Sequence, residues 1–133
     1  MRETTNGSSP TALLELAQLA VERATARGAD EAEATIRLED GLTVRVRGDE
    51  IDRLQSTTRK RLGLRLRVGG SGASASTTDL DPATLDELAA RAVALARETA
   101  PDLSSALPTE CGGPIGDAAT LDLCDESEHA LDP

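Results

Sequence analysis

The 133-residue sequence predicts an α/β protein of the α+β type: two layers, with two helices on one face of an antiparallel sheet of four or five strands. Within residues 61–68 a leucine or valine recurs at every second position, which is typical of a half-buried strand. Segments 11–27 and 82–98 instead carry their apolar residues at helical spacing, on one side only. Because each helix has one apolar stripe and the strands have one apolar face, stacking both helices on the same face of the sheet buries all three.

The first helix is predicted over roughly residues 11–27. Ser9 is placed to cap its amino end, and Pro10 has the fixed backbone angle that suits a first helical position. Gly28 is placed to end the helix in a left-handed conformation. The predicted buried stripe consists of Leu13, Leu16, Ala17, Ala20, Val21 and Ala24.

Alternating apolar residues predict the first strands of the sheet. The first strand covers residues 32–39, and Asp40-Gly41 has the composition of a two-residue hairpin turn leading into the strand of Val44 and Val46. Gly48-Asp49 is predicted as the next turn. The third strand, over residues 50–59, is expected to be irregular or bulged because only two of its residues are apolar.

The rest of the predicted domain has strong local patterns. A fourth strand covers residues 61–68, a glycine-rich turn covers 69–72, and a fifth strand of small residues covers 73–78. Asp81 is predicted to cap a second helix that has Pro82 at its first position, with Leu80 packing beside Leu85. This helix is expected to end near Thr99-Ala100-Pro101.

Composition divides the chain into three parts. Residues 1–10 are polar and predicted to be disordered, residues 11–100 form the α/β domain, and residues 101–133 form an acidic flexible linker or tail. That tail contains 8 acidic residues and no lysine or arginine. Such a segment has too few apolar residues to fold alone.

Charge and composition exclude several classes of function. The formal net charge is −10, and the chain has no Phe, Tyr or Trp, so both the positive charge and the stacking rings that nucleic acids require are missing. No apolar leader or membrane-length run is visible, and two cysteines do not make a disulfide framework. We therefore expect a cytoplasmic protein that binds neither nucleic acid nor membranes.

No catalytic or metal site is predicted. The run Gly69–Gly72 lacks the lysine of a phosphate-binding loop and precedes a strand, so a hairpin turn is the better interpretation. Ser74, Ser76, Thr77 and Thr78 lie outside any nucleophile motif. The possible zinc ligands Cys111, Cys124 and His129 lack the paired spacing of zinc sites.

Five arginines are the candidate functional residues. Strand alternation places them on the polar face of the sheet. One interpretation is a solvated face balanced by Glu33, Glu39 and the acidic tail. The other is a docking face for an acidic partner, for peptide carboxylates or for another domain. The five are Arg37, Arg45, Arg47, Arg65 and Arg67.

Four segments in this order give the chain a family resemblance. They are residues 28–33 (GADEAE), 41–47 (GLTVRVR), 61–70 (RLGLRLRVGG) and 75–82 (ASTTDLDP). The chain resembles the N-terminal domain of the TldD/PmbA family, also called modulators of DNA gyrase, over about residues 12–108. The acidic linker, with Leu121-Asp122-Leu123, is similar to the family's linker and favours the PmbA (TldE) side.

The resemblance implies a function that this chain cannot perform alone. The family consists of metallopeptidases that act on peptides and unfolded segments as an assembly of TldD-like and PmbA-like chains. Its zinc motif, His-Glu-x-x-x-His, lies in the C-terminal domain of the TldD-like subunit and is absent here. We expect a non-catalytic domain, as a fragment or a truncated copy, without its own cofactor or activity. Its expected partners are a TldD-like subunit, the missing C-terminal domain and peptides. The alternative is a free-standing interaction module that uses its arginine face.

Overall fold

The computed structural model describes residues 9–110, 116 and 118–122. Two helices and three strands follow one another in the order α1 (Pro10–Ala26), β1 (Glu31–Arg47), β2 (Glu50–Val68), β3 (Ser71–Thr77) and α2 (Pro82–Glu98). The strands form one antiparallel sheet in the order β1-β2-β3. The predicted α+β class is confirmed.

Both helices begin at the predicted caps. The Ser9 hydroxyl accepts a hydrogen bond from the Ala12 amide, and the Asp81 carboxylate accepts one from the Ala83 amide, with a proline next in each case. These side chains bind amide groups that have no partner within the helix. After α1, Gly28 has φ +99°, a left-handed conformation that residues with a side chain rarely adopt.

Three long strands replace the four or five that the alternation predicts. The first two predicted strands are one continuous strand, because the backbone at Asp40-Gly41 remains extended and no turn forms there. The Asp40 carboxylate accepts a hydrogen bond from the Thr58 hydroxyl at 2.6 Å. Likewise the irregular strand over 50–59 and the strand over 61–68 are one element, β2.

The two predicted turns that do form connect the three strands. Residues 48 and 49 separate β1 from β2. Gly69 and Gly70, both with positive φ, separate β2 from β3, and Val68 pairs with Ser71 across that turn. Two consecutive positive φ angles match the right-handed twist of paired strands, which is why glycine suits both positions.

The chain divides into two compact units. The first contains Met1–Leu42 and Ser56–Leu107, and its core lies between the sheet and the two helices. Leu62, Leu64 and Leu66 of β2 are buried completely or nearly so, as is Leu85 of α2. The remaining buried positions of both helices are filled mainly by alanine, and with no aromatic residue the core is thin.

The second unit contains Thr43–Gln55 and Pro108–Pro133. Its hairpin, Thr43–Gln55, exposes every side chain, including the apolar Val44, Val46, Ile51 and Leu54. A short 3₁₀ helix spans Ala118–Leu121. Among the described residues of the whole chain, no helix has the length and apolarity of a membrane span.

Candidate functional site: the open face of the sheet

The sheet face turned away from the helices, here called the open face, carries the polar half of each strand. In the first unit β1 contributes acidic residues and one arginine, β2 contributes arginines, and β3 contributes small residues. Its members are Glu31, Glu33, Thr35, Arg37, Arg61, Gly63, Arg65, Arg67, Gly72, Ser74 and Ser76. Arg37, Arg65 and Arg67 therefore share one face in the first unit, as the alternation predicts.

Arg67 is buried, with only 8% of its side chain exposed. Its guanidinium donates hydrogen bonds to the carbonyls of Gly70 and Asp102, at 3.2 and 3.1 Å, and faces the Glu31 carboxylate at 3.4 Å. Asp102 belongs to the segment that follows α2, so this arginine ties that segment to the sheet. Its Nε is buried without a hydrogen-bond partner.

The segment Asp102–Leu107, here called the strap, is held by three further hydrogen bonds, one of which the Asp102 amide donates to the Gly70 carbonyl at 3.0 Å. The Leu107 amide donates a 2.9 Å hydrogen bond to Glu31, and Arg65 donates one to the Ser105 carbonyl at 3.3 Å. Leu107 itself is buried. At the other side of the same region, the Asp30 carboxylate accepts a 2.7 Å hydrogen bond from the Gly69 amide. Arg65 also pairs with Glu33 at 3.4 Å, as the solvated-face interpretation expects, whereas the contacts of Arg65 and Arg67 with the strap are not predicted by the sequence.

The strap changes the electrostatics of Glu31. The hydrogen bond from the Leu107 amide, followed by the nearby Arg67 guanidinium, holds the pKa of the Glu31 carboxyl below its usual value, with partial opposition from desolvation and Asp30. A carboxyl whose pKa is lower in the folded state stabilises that state above its unfolded pKa. The stabilisation is lost as the pH falls through the folded pKa.

We expect the Glu31 contacts to make the domain acid-sensitive. Between pH 7 and pH 3 the wild type should lose more stability than a Glu31→Gln variant, because glutamine still accepts the Leu107 amide but does not titrate. Urea denaturation followed by circular dichroism at a series of pH values measures the difference. Parallel pH profiles for the two proteins would contradict the assigned role of Glu31.

Arg37 lies on a more open part of the face. Its side chain is 76% exposed and pairs with Glu39 at 2.5 Å. Together with three consecutive basic residues of β2, Arg59, Lys60 and Arg61, it lines a concavity of about 790 Å³, completed by Glu39, Thr58 and Thr78. The sequence prediction omits these three basic residues. Two signals could have indicated them: the three are consecutive in the chain, and Arg61 lies on the same strand face as Arg65.

The two remaining predicted arginines, Arg45 and Arg47, lie in the second unit. Both are exposed on the hairpin that also exposes Val44 and Val46. Exposed apolar side chains close together on a surface are typical of protein contact sites. The five predicted arginines are thus divided: two hold the strap, one lines the concavity, and two lie on the hairpin.

The described residues contain no group of three histidine, cysteine, aspartate or glutamate side chains that could hold a metal ion. Cys111, Cys124 and His129, the possible zinc ligands weighed above, lie outside the described residues. Ser74 and Ser76 line a second, smaller cavity of about 380 Å³ around Gly63 and Arg65. That cavity contains no histidine to activate a serine.

Comparison with known proteins identifies the domain. A family model described as PmbA/TldA metallopeptidase domain 1 matches residues 32–96. The "Metalloprotease PmbA homolog" of Haemophilus influenzae is 34% identical over 90 residues, which cover 68% of this chain and 20% of that protein.

Solved structures give the same result for the fold. A protein from Bacteroides thetaiotaomicron, named as a modulator of DNA gyrase, superposes with a TM-score of 0.76 at 25% identity, over 94% of this chain and 28% of that one. TldE from Thermococcus kodakarensis superposes with a TM-score of 0.65 at 15% identity, over 84% and 26%. This chain therefore spans only a fifth to about a quarter of these relatives. Through the domain at residues 32–96, the chain belongs to the PmbA/TldD metallopeptidase family.

Proposed function

We propose that this chain is a non-catalytic docking domain of a PmbA/TldD-type metallopeptidase assembly that cleaves peptides or unfolded segments. The observation that carries the proposal is the match of residues 32–96 to the first domain of that family. The described residues offer no metal cluster and contain no histidine that could activate a hydroxyl, so we assign the chemistry to another part of the assembly.

The partner in this proposal is a family subunit or domain that carries the zinc motif. In that arrangement the zinc is bound by the partner, and this chain holds no cofactor and cleaves nothing alone. The relative from Haemophilus influenzae is named as a PmbA homolog, which supports the side of the family without the zinc motif. The two-cysteine composition suits a reducing compartment, so we place the assembly in the cytoplasm.

The hairpin Thr43–Gln55 is the docking surface we propose within the second unit. It combines two exposed arginines, Arg45 and Arg47, with exposed valine, isoleucine and leucine side chains. Aliphatic side chains bury apolar surface when two proteins associate. Arginines at the border of such a contact orient the partner and increase the rate of association. These features favour a protein partner over a small molecule.

Co-purification of the tagged chain with a zinc-bearing family subunit tests the proposal. We expect association with the wild type and about threefold to tenfold weaker association with Arg45→Ser/Arg47→Ser, the loss typical of two exposed charge contacts. The matched control is Arg23→Ser/Arg91→Ser, which removes two exposed helical arginines and should bind like the wild type. Absence of association, or equal losses in both double variants, would contradict the proposed docking.

The second candidate is a free-standing interaction module, and the basic concavity on the open face favours it. Such a module would bind an acidic partner without any family subunit. Co-purification separates the two, because only the first candidate requires the zinc-bearing subunit.

A further inference from the structure

We infer that the concavity lined by Arg37, Arg59, Lys60 and Arg61 is a binding site for a short carboxylate-rich polypeptide segment. The inference rests on the proposed docking role and names the chemistry of the segment that is bound. The site lies entirely within the first unit. None of the five arginines predicted from the sequence, except Arg37, belongs to it.

Charge is the first argument. Four basic side chains and one acidic side chain, Glu39, line the concavity, with Asp40 held nearby by Thr58. The chain as a whole has a formal charge of −10. A local excess of positive charge in a strongly acidic protein concentrates attraction at one place, while the remaining surface repels anions.

Accessibility is the second argument. Arg59 and Arg61 are exposed, Lys60 is partly buried, and Arg37 is 76% exposed, whereas Arg65 and Arg67 are engaged by the strap and its acidic neighbours. The guanidinium groups along this concavity can therefore reach an incoming ligand. Its volume of about 790 Å³ accommodates several side chains rather than a single ion.

The chemistry of the lining favours carboxylates over a nucleic acid. Arginine can form paired hydrogen bonds with carboxylates, and at the rim the Arg37 Nε already contacts one carboxylate oxygen of Glu39 at 2.5 Å. The hydroxyl of Thr78 adds a neutral donor, whereas that of Thr58 already donates to Asp40. A nucleic acid would carry many phosphates past the concavity on a protein of formal charge −10, and the chain has no aromatic ring on which bases could stack.

The test is a fluorescence-anisotropy titration of the full chain with a labelled hexaglutamate peptide at low salt. We expect saturable binding that weakens as salt is added, because screening reduces exposed charge contacts. An Arg59→Ser/Arg61→Ser variant should bind about fivefold more weakly, as expected for two lost exposed contacts. The matched control, Arg23→Ser/Arg91→Ser, has the same net charge and should bind like the wild type.

Three outcomes would overturn the inference. They are no binding of hexaglutamate to the wild type, equal losses in the two double variants, and tighter binding of a six-thymidine oligonucleotide than of the peptide. The peptide titration and the co-purification test this site and the proposed function separately. Peptide binding without association with a family subunit would retain this site and reject the docking role, and the reverse would retain the docking role alone.

Discussion

A Leu64→Asp variant is expected to be unfolded at room temperature. Leu64 is 1% exposed in the middle of β2, between the two other buried leucines of the strand. Losing a buried leucine costs about 2–5 kcal/mol, and an unpaired buried carboxylate adds several more. Whole domains typically have a free energy of unfolding of about 5–15 kcal/mol, and the expected loss matches or exceeds the lower part of that range. A core without aromatic residues leads us to expect a wild-type stability in that lower part.

Far-UV circular dichroism and urea denaturation measure this effect. The matched control is Leu14→Asp, which places the same side chain on α1 at a position that is 59% exposed in the wild type. The control should remain folded, with a midpoint close to that of the wild type. A cooperative unfolding transition for Leu64→Asp would mean that the sheet buries its other face.

The second large effect is expected at Arg67. An Arg67→Met variant keeps the length of the side chain but removes the guanidinium hydrogen bonds to the carbonyls of Gly70 and Asp102 and the cation beside Glu31. Hydrogen bonds from a charged donor contribute about 1.5–3 kcal/mol, so we expect a loss of that size together with loosening of the strap. Glu31 is partly exposed, so water screens its contact with Arg67, and we assign none of this loss to that contact.

Urea denaturation measures the loss of stability, and limited proteolysis reports cleavage within the strap. Arg91→Met is the control: that arginine is 80% exposed and paired with Glu87 one helical turn away. Exposed pairs of this kind contribute about 0.3–0.5 kcal/mol, so the control should differ little from the wild type. Equal stabilities for the two variants would show that Arg67 does not hold the strap.

The sequence predicts the helices well because their ends depend on local chemistry. Ser9-Pro10 and Asp81-Pro82 place a cap and a first-turn proline side by side, and both helices begin there. Asp79 reinforces the second start, since its carboxylate accepts hydrogen bonds from the Asp81 amide and the Thr84 hydroxyl, which lower its pKa. Few long-range contacts are needed to specify such an end.

The predicted number of strands is wrong because Asp40-Gly41 has the composition of a turn but lies inside the continuous strand β1. The residues flanking a two-residue hairpin turn point to the same face. A turn there would place Leu42 on the face of Glu39, whereas the even-numbered positions from Ala32 to Val46 are apolar except for Asp40. At Gly48-Asp49 the flanking Arg47 and Glu50 are both polar, and at Gly69-Gly70 Val68 and Ser71 pair, so those turns are compatible with the alternation.

The division of the arginines could not be predicted from the alternation. Alternation places Arg65 and Arg67 on the polar face, but their hydrogen bonds to the strap and the burial of Arg67 depend on a segment without periodicity, more than thirty residues further along the chain. The same contacts explain the structural role of segment 28–33, one of the four segments that carry the family resemblance. Gly28 ends α1, Asp30 binds the Gly69 amide and Glu31 receives the strap.

Our central claim about the open face is that the strap closes one end of it while the basic concavity remains accessible. Hydrogen exchange at the Leu107 amide tests this closure most directly, because that amide donates to Glu31 only while the strap is bound. We predict slow exchange, relative to the intrinsic rate, in the wild type and in Arg91→Met, and fast exchange in Arg67→Met. Fast exchange of the Leu107 amide in the wild type would contradict the claim.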